Sequence, residues 1–409
     1  MFNDTVEFMT DDLPASLISA AADDREGLAG AVAARIGGLP RRPRLVGLGE
    51  PMHGEQEFPR LRNALFAALA EQAGFTTIAL EVSAWHARMV DDYVRGADAD
   101  EDVVMAEGFT HEFGAFAGNR ELVRWMREQN RHRPADAQLR FAGFDAPVEM
   151  QAAPSPRPML QLLHDFLAPR VDVAPWATVD ELLGSEEPWV EPAAAMEPAR
   201  SIGSEQRVRD LRAITDDLRR TLAGAAPGLR RDAIPEELAD AWLAGRTAAG
   251  LLAYHAAMAR DTEHRWQGLA ALRDTLMAEN LRDLAGRGST LVFAQNEHLR
   301  TGPTRIAFGP VTLGWLPAGA HLADRFGAGY HVIGCAFGEA AEVPAPPADT
   351  VEGALYRGLP PGNHLLSAPD LQALRRRCAT RVSPTYRYLP IDDSFLAEVD
   401  ELLFLRTIG

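Results

Sequence analysis

Short apolar runs alternate along the chain with longer stretches in which apolar residues recur every three or four positions. The runs RLVGLG (44–49), TTIALEV (76–82), LRFAGFD (139–145), STLVFAQN (289–296), HVIGCAFG (331–338) and LLFLRT (402–407) have the length and composition of buried strands. Between the first two, QEFPRLRNALFAALAEQAG sets Phe58, Leu61, Leu65 and Leu69 at helical spacing, with Gly74 as a stop. A second helix is expected over 119–130, where Leu122, Val123 and Met126 share a face. This rhythm predicts an α/β fold with a largely parallel central sheet flanked by helices.

The middle of the chain breaks the rhythm. Prolines accumulate from Ala152 to Arg200, which predicts irregular connections and short helices, and long helical patterns follow over 204–222, 236–260 and 266–286 with no strand among them. The expected organisation is therefore an N-terminal part of the α/β core (1–149), a helical insertion bordering an active-site cleft (150–265) and a C-terminal part of the core (266–409). EVPAPPADT (342–350) reads as a surface loop.

Composition narrows the function. At 409 residues, 46% hydrophobic and 24% charged, the chain can bury a full core. Its apolar runs are far shorter than the roughly 20 residues of a membrane span, so no membrane partner is expected. The acidic first segment lacks the basic start and apolar centre of a secretory signal, which points to a cytoplasmic location. Cys335 and Cys378 have no metal-ligand spacing, and no disulfide is expected. A net charge of −17 argues against a nucleic-acid partner. All 41 basic residues are arginine, which rules out a Schiff-base lysine, a pyridoxal-phosphate lysine and a lysine-bearing P-loop. The expected partner is a small-molecule substrate, with no cofactor; oligomeric state is left open.

In open α/β sheets, ligands bind beyond the carboxyl ends of the strands. The first strand is followed by Glu50 and His53, the second ends in Glu81, the third in Asp145, and the fourth runs into Gln295, Asn296, Glu297 and His298. A single charge at a strand end is ordinarily a solvated turn residue; sets at successive strand ends point to a site. His53 is the candidate general base, because imidazole titrates near neutrality, with Glu50 or Glu81 to orient it. Arg62, on the next helix, suits either an oxyanion or a structural ion pair. His111 and Glu112, in GFTHEFGAF, precede a helix and are placed at the pocket or on the surface. His255 and His264 fall in helical patterns and read as packing or surface residues.

Other templates fail. Met52 occupies the place of the third glycine of a dinucleotide fingerprint, and there is neither a G-x-S-x-G nor an H-E-x-x-H. No local spacing supports a metal on His53, Glu81 and His298, so no metal ligand is assigned.

The pattern GEPMHGEQEFPRLR, followed in order by GFTTIALEVS, DDYVRG, ELVRWMREQN, FAGFD, RDTLMAEN, FAQNEH and VDELLFLRT, resembles the erythromycin esterase family. The resemblance covers nearly the whole chain and is weakest over Ala152 to Arg200. It implies an α/β core with a helical insertion beside a deep cleft, and a hydrolase that opens a macrolide lactone with water and no covalent serine intermediate. It further implies that His53 is the general base, with Glu50, Arg62 and Glu81 as partners. The family's A-H-N-x-H motif reads AQNEH here: His298 is retained, but Gln295 replaces the first histidine. Glutamine hydrogen-bonds but cannot change charge. The expected catalytic set is thus His53, Glu50, Glu81, Arg62 and His298, with Gln295, Asn296, Glu297, His111 and Asp145 as substrate contacts. The leading reading is hydrolysis of an ester or lactone of a sizeable small molecule. Alternatives are a non-hydrolytic tailoring enzyme that eliminates, isomerises or cyclises its substrate, and a small-molecule-binding protein without turnover.

Overall fold

The computed structural model describes residues 13, 15–148, 153–308, 311–341, 343–383 and 388–408. The readings of the acidic segment over 1–12, and of Ala152 and Glu342, fall outside these residues.

Eight strands form the central sheet: β1 (Ile18–Ala22), β2 (Leu45–Glu50), β3 (Thr77–Ser83), β4 (Arg140–Asp145), β5 (Thr290–Gln295), β8 (Tyr330–Glu339), β9 (Asn363–Ser367) and β10 (Glu401–Thr407), with a separate hairpin of β6 (Thr304–Phe308) and β7 (Val311–Trp315). The sheet order is β1-β9-β10-β8-β2-β5-β3-β4. From β10 through β4 every pairing is parallel, and only β9 runs against its neighbours β1 and β10. All six strands expected from the apolar runs are present.

Strands covered by helices on both faces cannot alternate polar and apolar residues, which is why β2, β3 and β5 read as continuous apolar runs and are buried throughout. Val46, Leu48, Ile78, Leu80, Leu291 and Phe293 meet Phe58, Leu61 and Leu65 on one face. On the other face, Leu45, Ala79, Val292 and Ala294 meet Met277, Ala278 and Leu281 of the helix Arg265–Ala285. The long helices of the insertion, Gln206–Asp232 and Pro235–Met258, close a third core around Leu163, Leu211, Leu251 and Trp189. Ala146 and Val148, just past β4, join that core and seat the insertion at the strand ends. Each fully buried Leu or Phe in these layers is worth about 1.5–3 kcal/mol relative to exposure.

The chain visits the sheet out of order. Having built β2, β3 and β4, it passes through the insertion and returns to place β5 between β2 and β3. The carboxyl ends of β2, β5, β3 and β4 therefore stand side by side. Tight packing is needed for the central pair: a Cβ at Gly49 would overlap the Asn296 side-chain amide.

Candidate active site

β2 ends at Glu50, and a turn through Gly54, whose positive φ of 96° suits glycine, carries His53 back over it. Glu50 Oε1 lies 2.7 Å from His53 Nδ1. With Glu50 ionised this favours the Nδ1–H tautomer and leaves Nε2 as the basic nitrogen. His53 Nε2 has no hydrogen-bond partner among the described residues, and the side chain is 36% exposed. Burial pushes the His53 imidazole down, but the Glu50 hydrogen bond and charge outweigh it and hold the pKa above the ordinary value. Burial raises Glu50 in turn.

Glu81 turns to a different histidine. Its Oε1 lies 3.3 Å from His298 Nε2 and accepts from Arg273 at 3.1 Å, while Oε2 accepts the Gln295 backbone N–H at 3.0 Å. His298 Nδ1 meets Asp274 at 2.9 Å, so carboxylates flank both ring nitrogens. Burial opposes charge on His298, yet Asp274 and Glu81 together lift its pKa to about 10, so it stands as an imidazolium at neutral pH. Glu81 is held well below the carboxylate range: burial works against this and is overcome by His298, His53 and Arg273. Arg273 also forks onto Asp145, with a closest contact of 2.6 Å, and Asp145 meets His111 Nε2 at 2.9 Å. His111 and Glu112 each have φ of 59°. Two successive non-glycine residues in the left-handed region cost roughly 1–3 kcal/mol each, a strain held here by the His111–Asp145 bond and characteristic of functional sites.

Arg62 is 1% exposed and meets no carboxylate within ion-pair distance among the described residues. Its guanidinium donates to the side-chain oxygens of Asn63 and Asn119 and to Gly118 O, and lies 4.9 Å from the Phe293 ring centre. Burial lowers its pKa to about 9. A cleft between Glu50, Arg62, Glu81, Phe113, Phe116 and Phe293 has about 10 Å³ of accessible space, room for about one water. A wider cavity of about 570 Å³ is lined only by residues of the insertion around His164, Arg170 and Trp176.

The structure thus gathers Glu50, His53, Glu81, His111, Asp145, Gln295 and His298 along one edge. Asn296 and Glu297 are committed elsewhere: Asn296 brackets the Cys335 backbone through both amide atoms, and Glu297 binds Arg300 at 2.9 Å. His255 packs inside the insertion against Trp189. Sequence reasoning assigned no role to Arg273 or Asp274, or to Trp315, whose Nε1 donates to Asp274 at 2.6 Å. Their only signal was RDTLMAEN, a segment of the family pattern that reads locally as an ordinary helix. No group of three His, Cys, Asp or Glu residues among the described residues has the arrangement of a metal site, and no helix among them is long and apolar enough to cross a membrane.

The sequence model described as erythromycin esterase matches residues 70–409. This chain belongs to the erythromycin esterase family. Glu50, His53 and Arg62 precede the matched stretch, so their assignment rests on the GEPMHG pattern and on the geometry above. The chain is 29% identical over 123 residues to erythromycin esterase type II of Escherichia coli, covering 30% of this chain and 27% of that protein. Among solved structures, a Bacillus cereus protein is similar with a TM-score of 0.70 at 16% identity, covering 99% of this chain and 97% of that one. The erythromycin esterase EreC, a mutant in its open conformation, is similar with a TM-score of 0.63 at 19% identity over 90% and 91% of the two chains. A succinoglycan biosynthesis protein gives a TM-score of 0.69 at 15% identity over 100% and 98%. At these identities the structural likenesses establish the fold, which erythromycin esterase family members share with proteins of other names.

Proposed function

We propose that this chain hydrolyses an ester or lactone of a sizeable, macrolide-like small molecule, using a water activated by His53. The carrying observation is the His53–Glu50 pair: Glu50 occupies Nδ1, and Nε2 has no partner among the described residues on a side chain that is partly exposed. His53 takes one proton from water as the water oxygen bonds to the carbonyl carbon. The tetrahedral intermediate then collapses, the carbonyl-carbon to alkoxide-oxygen bond breaks, and His53 returns the proton to the leaving oxygen. The products are an acid and an alcohol, together heavier than the substrate by one water.

Support from the other charges is indirect. Both nitrogens of His298 face carboxylates, and Arg62 already makes four hydrogen bonds. In this reading they act as fixed positive charge near the reacting carbonyl and do not swing onto the substrate. Family membership supports the hydrolytic class, and the name of the Escherichia coli relative supports a macrolide-like substrate.

The test is mass spectrometry of lactone and ester panels, a macrolide included, incubated with the parent protein and with His53→Gln. A hydrated product from the parent, reduced at least about 100-fold in the variant, is expected. Undiminished hydrolysis by His53→Gln would overturn the assignment. Gln295 favours a second reading, because a group that cannot titrate stands where the family pattern has a histidine: the same base abstracts a carbon-bound proton in a mass-neutral or water-losing step. Solvent deuterium in recovered substrate, without hydrated product, would select it.

A further inference from the structure

Gln295 ends β5 directly beside Glu50 at the end of β2, the two being Cα partners in the parallel register. On β5, Leu291 and Phe293 enter one core; on β2, Val46 and Leu48 enter the same core. Gln295 and Glu50 continue those two alternations, so both belong to that face of the sheet. Gln295 Oε1 accepts the Glu297 N–H at 2.6 Å and so caps the short helix Asn296–Leu299. That bond orients the amide: the opposite orientation would set two donors against each other, so the group on the far side is the Nε2 donor.

Gln295 Nε2 is buried and has no hydrogen-bond partner among the described residues, and the same is true of Glu50 Oε2. A buried donor without a partner is costly, and one kept beside a proton-transfer pair points to an acceptor that the substrate brings. Neighbouring donors are largely spent. Asn119 Nδ2 serves Phe113 O, Asn296 Nδ2 serves Cys335 O, Arg273 serves Asp145 and Glu81, and His298 lies between Asp274 and Glu81.

We propose that Gln295 Nε2 donates a hydrogen bond to the oxygen of the reacting carbonyl, the oxygen that becomes the oxyanion. This rests on the hydrolytic reading above. The Oε1 and Nε2 of a capping glutamine play the parts of Nδ1 and Nε2 of a neutral histidine: one accepts the cap bond and the other donates. Gln295 therefore keeps the donor of a neutral imidazole and loses its titration. It polarises the carbonyl at every pH and transfers no proton, so the leaving oxygen is protonated only by the proton that His53 took from water.

Three variants separate the donor from the cap. Gln295→Glu keeps an oxygen for the Glu297 N–H but puts an acceptor in the donor's place. Gln295→His keeps both functions, and Gln295→Ala removes both. With p-nitrophenyl butyrate and any panel lactone that the parent opens, kcat is expected to fall about 100-fold or more in the Glu and Ala variants, with little change in KM. Gln295→His should recover most of the rate and add an ionisation to the pH profile that the parent lacks. Thermal unfolding identifies any variant that fails to fold. A folded Gln295→Glu with kcat within about 3-fold of the parent would overturn the proposal. A high-resolution crystal structure of the parent supplies a readout independent of turnover. An ordered oxygen within hydrogen-bond distance of Nε2 is expected, and a protein acceptor there would overturn the donor role whatever the kinetics show. If that oxygen is present but the parent hydrolyses no ester or lactone, the hydrolytic reading fails, and the oxyanion role fails with it.

Discussion

His298 lies between Asp274 at 2.9 Å and Glu81 at 3.3 Å, and Asp274 is itself held by the Trp315 indole and the Ala318 N–H. This clamp converts a histidine into a fixed cation. Its pKa is raised from 6.5 to about 10, so its contribution to stability is fully present below pH 6.5 and is lost as pH rises through about 10. Asp274→Asn breaks a buried pair and is expected to cost about 3–5 kcal/mol. Its His298 should titrate nearer the ordinary value in an NMR pH series. The parent's unfolding temperature should fall toward pH 10, and the variant, already lower at neutral pH, should show a weaker alkaline decline. Retention of the high His298 pKa in Asp274→Asn would show that Glu81 alone sets it. Glu50 and His53 were legible as neighbours because they lie three residues apart in one turn, while the choice between Glu50 and Glu81 as the partner of His53 was open. Arg273 and Asp274 were not, because they meet their partners only once the helix Arg265–Ala285 has docked beneath β3 and β5.

Elements outside the apolar runs were hidden for a physical reason. β1 (ISAAA) and β9 (NHLLS) are five residues each and obtain their strand conformation from pairing with each other and with β10. Among the described residues β6 and β7 pair only with one another, yet β7 carries Trp315 to Asp274 and so joins the hairpin to the site. The opposite holds for β2 and β5, whose apolar runs are self-evident and whose contact is exacting. Gly49 packs against Asn296, and Asn296 in turn ties β5 to the Cys335 backbone of β8. Gly49→Ala is expected to destabilise the protein by about 1–3 kcal/mol through overpacking and to displace the 295–298 segment. Urea unfolding checks the first effect, and the kcat of the folded variant the second. An unchanged urea midpoint would mean that Asn296 yields without cost.

For the whole molecule, two ionisations frame activity. His53 must be neutral to act as a base, and its pKa is raised by Glu50, so kcat/KM is expected to rise with pH through a value above 6.5. Rates should then fall as pH approaches about 10, where His298 loses its charge and the site its support. A bell-shaped profile of kcat/KM against pH, measured with folded protein at each point, tests this. A profile flat across both limbs would remove His53 from the rate equation. The layered α/β class, the parallel strands, the helices between β4 and β5 and the places of Glu50, His53, Glu81, Asp145 and His298 at or just past strand ends were all legible in the amino-acid sequence. Apolar periodicity and turn chemistry are local properties, readable one segment at a time. Packing settled that β5 enters between β2 and β3, that Glu81 meets His298 while Glu50 meets His53, and that Gln295 Nε2 has no partner among the described residues. Each of these depends on which segments become neighbours and which hydrogen bonds remain unspent, and distant parts of the chain settle both together as they pack.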